Sequence, residues 1–83
     1  MNKIDTLRST IDALDAKIMS LLDKRFDAVK DIGAAKREAN RSIEDASREK
    51  FVLEACGRYA HKEALRTVYK AIFESAKALQ KDT

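Results

Sequence analysis

The sequence has no proline and only two glycines, so it contains little that interrupts a helix. Proline breaks or kinks helices, and an interior glycine weakens them by about 1 kcal/mol. Ala, Leu, Lys, Arg, Glu and Asp dominate instead, which is typical of helical proteins. The length of 83 residues fits one domain, spanning residues 1–83. We therefore predict a single all-α domain.

Cysteine and histidine are equally scarce, with one residue of each. Cys56 has no partner within the chain, and its apolar neighbours Val52 and Leu53 favour a buried thiol. His61 has no cysteine or second histidine at ligand spacing, so no metal site is predicted. A Ser-His-Asp set, a glycine-rich phosphate loop and a paired-carboxylate motif are also missing. Nucleophilic and phosphate-binding chemistry therefore lack sequence support.

Long hydrophobic runs are absent too. No apolar stretch approaches the ~20 residues of a membrane span, and residues 1–4 do not begin a signal peptide. We expect a cytoplasmic protein with no membrane partner. The 17 basic and 14 acidic residues are interleaved and give a net charge of +3. Nucleic-acid-binding surfaces carry clustered Lys and Arg, so no nucleic-acid partner is expected, while a small anion remains compatible.

What the sequence does contain is an apolar repeat along its first half. Apolar residues recur at steps of three and four, and form what we call the apolar seam: Ile4, Leu7, Ile11, Leu14, Ile18, Leu21, Ala28, Ile32, Ala35 and Ala39. This spacing predicts a long first helix from Ile4 to Ala39, roughly 50 Å in length. A compact monomer of this size has a radius of gyration of only about 12 Å. We therefore expect a second copy of the chain to cover the seam in a homodimer.

Two further helices are predicted after the first. A linker at Asn40–Glu44 precedes a short second helix, which starts near Asp45 and ends at Gly57. Glycine suits the left-handed conformation that ends many helices. The N-cap is either Asp45 itself or Ser42, with an acidic residue three positions on. A third helix of intermediate length starts near Ala60 and runs to the C-terminus.

One charged residue interrupts the apolar seam. The position missing between Leu21 and Ala28 belongs to Arg25, whose guanidinium is always charged and costly to bury unpaired. Arg25 is therefore expected to meet an anion, either an acidic residue of a neighbouring helix or a ligand. Lys36 lies three helical turns further and projects from nearly the same side. It binds either the same ligand or the negative end of the helix dipole.

Other polar residues also have two interpretations each. Arg8 lies about 25 Å from Arg25 along the helix, so it is a surface residue or, in an antiparallel dimer, approaches Arg25 of the other chain. Gln80 borders the apolar stripe of the third helix, as a surface residue or as a donor in a pocket. Three residues share one turn of the second helix: Asp45, Arg48 and Glu49. They either cap and pair locally, or offer a cation and an acceptor to a ligand.

Together with their neighbours, these residues follow an order along the chain that is characteristic enough to compare with known families. The recurring elements are Leu7-Arg8, Ile11-Asp12, Leu14-Asp15, Leu21-Leu22, Lys24-Arg25, Ile32-Gly33, Ala35-Lys36, Asp45, Arg48-Glu49, Ile72-Phe73-Glu74 and Leu79-Gln80. Over residues 4–80 this order resembles the all-helical chorismate mutases. The resemblance implies an intertwined helical homodimer with two equivalent sites, each lined by both chains.

The resemblance also implies an isomerase of the shikimate pathway, which rearranges chorismate to prephenate in aromatic amino-acid biosynthesis. The reaction needs no cofactor, nucleophile or proton transfer. The implied substrate-binding residues are Arg8, Arg25, Lys36, Asp45, Arg48, Glu49 and Gln80, with Arg25, Lys36 and Gln80 as the catalytic ones. The arginines would bind the two carboxylates of chorismate, and Glu49 with Asp45 would receive its hydroxyl. Lys36 and Gln80 would donate to the ether oxygen.

One position departs from the family pattern. Ala76 stands where the family often has a serine that contacts a substrate carboxylate. A lost hydrogen bond to a charged group costs about 1.5 to 3 kcal/mol, which affects affinity more than reaction type. Two alternatives remain at this point: an isochorismate-pyruvate lyase on the same fold, and a non-catalytic helical dimerisation module with Arg25 in a structural ion pair.

Overall fold

The computed structural model describes residues 2–81, which form three helices and, over that range, no strand. Helix α1 spans Lys3–Glu38, α2 spans Ala46–Cys56 and α3 spans Lys62–Lys81. The predicted all-α class and the long, short and medium lengths are confirmed. The final two residues, into which the third helix was expected to run, lie outside the described part. Along residues 2–81, no helix has the length and apolar character needed to cross a membrane.

Helix α1 determines the shape of the molecule. The chain measures 56 × 25 × 15 Å, and its radius of gyration is 16.1 Å, above the ~12 Å of a compact domain of this length. The helix begins after Asn2, whose side chain accepts the N–H of Asp5 at 2.9 Å. Its ends differ from the predicted bounds by one residue each. A rod of this length leaves its N-terminal half without cover from the other two helices.

All ten residues of the apolar seam are exposed, and the buried residues of α1 lie beside the seam rather than in it. From Ile4 to Leu21, each of its side chains keeps 51% to 65% of its surface exposed. Further along α1, Val29 and Gly33 are buried where α3 packs against the helix. Within residues 2–81, the buried apolar residues are Val29, Cys56, Ile72, Phe73 and Ala76. The core thus lies at one end of the rod, and the predicted burial of the Cys56 thiol is confirmed.

The ends of the helices correct two predictions. Gly57 adopts a right-handed conformation, with φ −62° and ψ −14°, so the predicted left-handed stop is wrong. The N–H groups of residues 57–59 each bond to a carbonyl three residues back, so the chain turns without leaving the right-handed region. These turns occupy the space before Lys62, which is why α3 starts two residues later than Ala60. Among residues 2–81, the left-handed conformation is found at Asn40, with φ 57°, shortly after α1.

Candidate functional site

A cavity of about 420 Å³ lies between the C-terminal half of α1, the start of α2 and the end of α3. Ligand sites in proteins typically measure about 300 to 1,000 Å³. Its apolar lining includes Val29, Ile32, Phe73 and Ala76. Six of the seven candidate residues also line it: Arg25, Lys36, Asp45, Arg48, Glu49 and Gln80. The structure thus brings together residues that are up to 55 positions apart in the sequence.

Arg25 enters the cavity wall from α1. Its Nη1 atom is buried and makes no hydrogen bond within residues 2–81, and the Tyr69 ring centroid lies 5.9 Å from Cζ. No carboxylate in that range forms an ion pair with it, so the acidic partner expected from a neighbouring helix is not found there. A buried guanidinium donor without an acceptor is costly, and an anion in the cavity would satisfy it.

Lys36 lies near the end of α1 and is half-buried. Its Nζ donates a hydrogen bond of 3.0 Å to the main-chain carbonyl of Ile43, in the linker. An ammonium group has three N–H donors, so this bond fixes the direction of the side chain without using all of them. The contact to the linker, rather than to the end carbonyls of α1, places a second cation in the cavity lining.

Asp45 and Arg48 form the start of α2. Asp45 is the N-cap, and its Oδ1 accepts the Arg48 N–H at 3.0 Å and the Ser47 hydroxyl at 2.9 Å. Of the two predicted caps, Asp45 rather than Ser42 is the one observed. The backbone bond from Arg48, followed by the Ser47 bond, lowers the pKa of Asp45 below its ordinary value. The Arg48 guanidinium lies over the Phe51 ring, 4.7 Å from its centroid, and forms no ion pair with an acid of the described residues.

Glu49 meets a lysine that the sequence did not single out. Its Oε2 lies 3.3 Å from Nζ of Lys77, which is also 3.4 Å from Glu44 Oε1 and 3.3 Å from Glu74 Oε1. The hydrogen bonds with Glu49 and then Glu74 raise the pKa of Lys77 to about 12. Lys77 is one helical turn before Gln80, and this i, i+3 spacing was the available signal.

Gln80 is only 6% exposed. It is therefore a cavity residue and not a surface residue. Its side-chain Nε2 donates to the main-chain carbonyl of Val29 at 3.3 Å. The main-chain carbonyl of Gln80 accepts a hydrogen bond from Nη1 of Arg37 at 2.9 Å. Gly33 makes this seat possible, because a Cβ there would lie only 2.9 Å from Cγ of Gln80. The contacts of Gly33 and Arg37 with Gln80 were not predicted from the sequence, although Gly33 belongs to one of the recurring elements.

Arg8 is the candidate that does not line the cavity. It lies in the exposed N-terminal part of α1, about 25 Å from Arg25 along the helix. Among the cavity-lining residues, Arg25, Lys36, Arg48 and Lys77 are cationic, and Asp45 and Glu49 are anionic, for a formal balance of +2. A cavity with this balance, apolar walls and a buried amide suits a small dianion that also carries a hydroxyl group.

Among the comparisons with known proteins, a family model identifies the family over nearly the whole chain. The model of the family described as chorismate mutase type II matches residues 7–81. Among solved structures, a conserved hypothetical protein from Pyrococcus furiosus has a TM-score of 0.85 and 36% sequence identity, covering 96% of this chain and 97% of that chain. No curated protein matches the chain.

Proposed function

Because the chain belongs to the chorismate mutase type II family, we propose that the cavity between its three helices is the site where chorismate becomes prephenate. The enzyme is an isomerase, and its reaction breaks a C–O bond and forms a C–C bond within one molecule. The observation that carries the site assignment is the buried Nη1 of Arg25, which has no acceptor within residues 2–81. A substrate carboxylate is an acceptor of the required charge.

Carboxylate binding is assigned to the arginines. Arg25 bonds one carboxylate from α1, and Arg48, stacked on the Phe51 ring, supports the dianion from α2. Guanidinium groups bind carboxylates in a bidentate manner, which fixes orientation as well as position. Arg8 reaches the cavity from a second chain. Together these contacts hold the flexible substrate in the compact shape in which its reacting carbons approach each other.

The substrate hydroxyl is assigned to the first turn of α2. Glu49 accepts a hydrogen bond from this hydroxyl, and the backbone or side chain of Asp45 lies beside it. The carboxylate of Glu49 is held by Lys77 at 3.3 Å, and the cap bonds of Asp45 fix the start of the helix. The acceptor therefore needs little reorganisation when the substrate enters, which favours binding.

The breaking C–O bond is assigned to Lys36 and Gln80. Negative charge grows on the ether oxygen as this bond breaks, and donors already aimed at that oxygen stabilise the transition state more than the substrate. The Ile43 carbonyl orients Lys36, and Gly33 together with Val29 seats the Gln80 amide. Both donors come from rigid helices, so the geometry is set before the substrate binds.

Ala76 is buried in the cavity lining, at the position where the family often has serine. A methyl group there donates nothing to a carboxylate. We therefore assign carboxylate binding to the cations alone, with the cost of the missing bond expressed in KM. A cytoplasmic location and the homodimer, which would provide Arg8, remain predictions.

The experiment for this site follows the loss of chorismate absorbance after adding purified protein. Arg25→Ala should reduce kcat/KM by about 10²-fold or more, because a charge-assisted contact worth ~3 kcal/mol or more is lost in a shielded site. Arg58→Ala, which removes an exposed arginine outside the cavity, is the matched control and should keep full activity. Undiminished turnover by Arg25→Ala would contradict the site. Pyruvate release from isochorismate, measured in parallel, distinguishes the lyase.

A further inference from the structure

Lys77 joins three parts of the chain at the cavity wall. Its ammonium group lies within 3.4 Å of one carboxylate oxygen each from Glu44, Glu49 and Glu74. Glu74 belongs to the same helix, whereas Glu44 lies in the linker and Glu49 in the first turn of α2. One side chain of α3 therefore ties both the linker and α2 to α3.

The three ion pairs differ in how much water reaches them. The Lys77 side chain is 20% exposed and that of Glu49 is 31% exposed, whereas Glu44 and Glu74 are 74% and 78% exposed. Exposed ion pairs contribute little, since water and salt screen them. The shielded pair with Glu49 is thus the one that restrains a side chain of the cavity.

The charge of Lys77 also matters for a dianionic ligand. The cavity lining includes four cations and two carboxylates. Removing one cation therefore halves the formal net charge of the lining, from +2 to +1. Glu49 is one of those carboxylates, and without a nearby cation it would repel the ligand. The same ammonium therefore orients the hydrogen-bond acceptor and compensates its charge.

Resting on the proposed function, we infer that Lys77 is a positioning residue, which holds Glu49 ready to accept the substrate hydroxyl and offsets its negative charge. Lys77 contacts Glu49 and acts on the substrate through it. Its loss should weaken substrate binding, while the groups that face the ether oxygen, Lys36 and Gln80, stay in place.

The first measurement is the kinetics of Lys77→Met, which keeps a long unbranched side chain and removes the charge. KM for chorismate should rise about tenfold, the usual scale for one lost polar contact, and kcat should change much less. Lys77→Arg keeps the charge and should restore most of the affinity. Lys70→Met, an exposed lysine of the same helix outside the cavity, is the control and should leave both parameters unchanged.

The decisive comparison repeats Lys77→Met in a Glu49→Ala background. If Lys77 acts through Glu49, the second substitution should add less than about a twofold change in KM, because coupled residues are not additive. An equal rise in KM in both backgrounds would overturn the inference, as would an unchanged KM in Lys77→Met alone. Lys77→Gln is measured in the same scheme if the methionine variant does not fold.

The same data separate this inference from the site assignment. Glu49→Ala alone should raise KM, because the acceptor for the hydroxyl is gone. Unchanged kinetics in Glu49→Ala would overturn the role of Glu49 in the proposed function, whatever Lys77→Met does. A raised KM in Glu49→Ala beside normal kinetics in Lys77→Met would leave that role standing and overturn only the inference about Lys77.

Discussion

Gln80 is a neutral donor in a lining where most polar groups are charged. A neutral amide keeps its donor at every pH, so activity that depends on it should persist through neutral and mildly alkaline conditions. Its position on the Val29 carbonyl, at 3.3 Å, restricts its movement. Preorganisation of this kind is what separates a transition-state donor from a residue that merely fills the wall.

Substituting this amide with a carboxyl group gives a test with a defined sign. In Gln80→Glu, only the protonated acid can donate to the ether oxygen, and an unperturbed Glu titrates near about 4.3. Burial favours the protonated form, whereas the Lys36 cation favours the ionised one. The variant should therefore be active at acid pH and lose activity as the pH rises and the group ionises.

The measurement is the pH profile of kcat for Gln80→Glu beside the parent enzyme. Gln80→Ala serves as the reference and should lose about 10²-fold in kcat at every pH, as when one oxyanion-type donor is removed, with a smaller change in KM. If Gln80→Glu follows the parent profile, then Gln80 does not face the breaking bond.

Single residues also show which parts of the site are predictable from the sequence. Arg25 was identifiable because a permanent charge broke a regular apolar repeat, and that signal lies within one helix. The contacts of Lys77, Gly33 and Arg37 were not predicted, because each acts on a residue of another element or a distant turn. From the sequence of α3 alone, Lys77 is predicted to be a solvated lysine. Its contacts become evident only in the fold, where α2 and the linker lie beside it. Contacts between helices are fixed by packing, which no periodicity in one helix encodes.

At the scale of elements, the start of α2 carries three of the candidate residues, so its cap belongs to the site as well as to the fold. Spacing predicted the three helices within two residues at each described end, and it also offered Asp45 as a cap. The conformation of Gly57 was not predictable in the same way. Three successive backbone bonds keep residues 57–59 in right-handed turns, and these depend on how α2 and α3 pack.

The Asp45 cap makes the stability of α2 depend on pH. The pKa of Asp45 is lowered in the folded chain, chiefly by the Arg48 backbone bond. A lowered pKa stabilises the fold above the ordinary titration range of Asp, and this contribution is lost as the pH falls through the folded-state pKa. Asp45→Asn keeps a good neutral cap that does not titrate.

Urea unfolding midpoints of the parent and Asp45→Asn should therefore differ near pH 7, with the parent higher, because the charged cap also lies near Lys36 and Arg41. The difference should shrink or reverse as the pH falls below the ordinary titration range of Asp, because the carboxylate then takes up a proton. Asp31→Asn, on the exposed face of α1, is the control for a general charge effect. A difference that stays constant from neutral to acid pH would contradict the role of the cap.

At the scale of the whole molecule, the exposed apolar seam and the distance of Arg8 from its own cavity raise the same question, namely what covers this side of α1. From Ile4 to Leu21 each seam residue is at least half exposed, which a folded domain in water rarely tolerates over such a length. Arg8 occupies this part of α1, far from its own cavity. An antiparallel partner helix would cover the seam and bring Arg8 of one chain to the cavity of the other.

This arrangement predicts recovery of activity by mixing two inactive enzymes. Arg8→Ala and Arg25→Ala should each be nearly inactive as homodimers, because every site in each lacks one carboxylate-binding arginine. A heterodimer of the two variants contains one site that has lost both arginines and one that has lost neither. Random re-pairing of equal amounts yields about half heterodimer, each with one intact site of two, so roughly a quarter of parental activity should return.

The mixing experiment requires unfolding and refolding the two variants together, since chains of an intertwined dimer exchange slowly. Light scattering before mixing should give twice the 9.4 kDa mass of one chain, and stability should rise with protein concentration. Tagged chains establish that heterodimers have formed. A folded monomer at micromolar concentration would remove the basis of the prediction. Heterodimers without recovered activity would show that Arg8 and Arg25 do not serve one site from different chains.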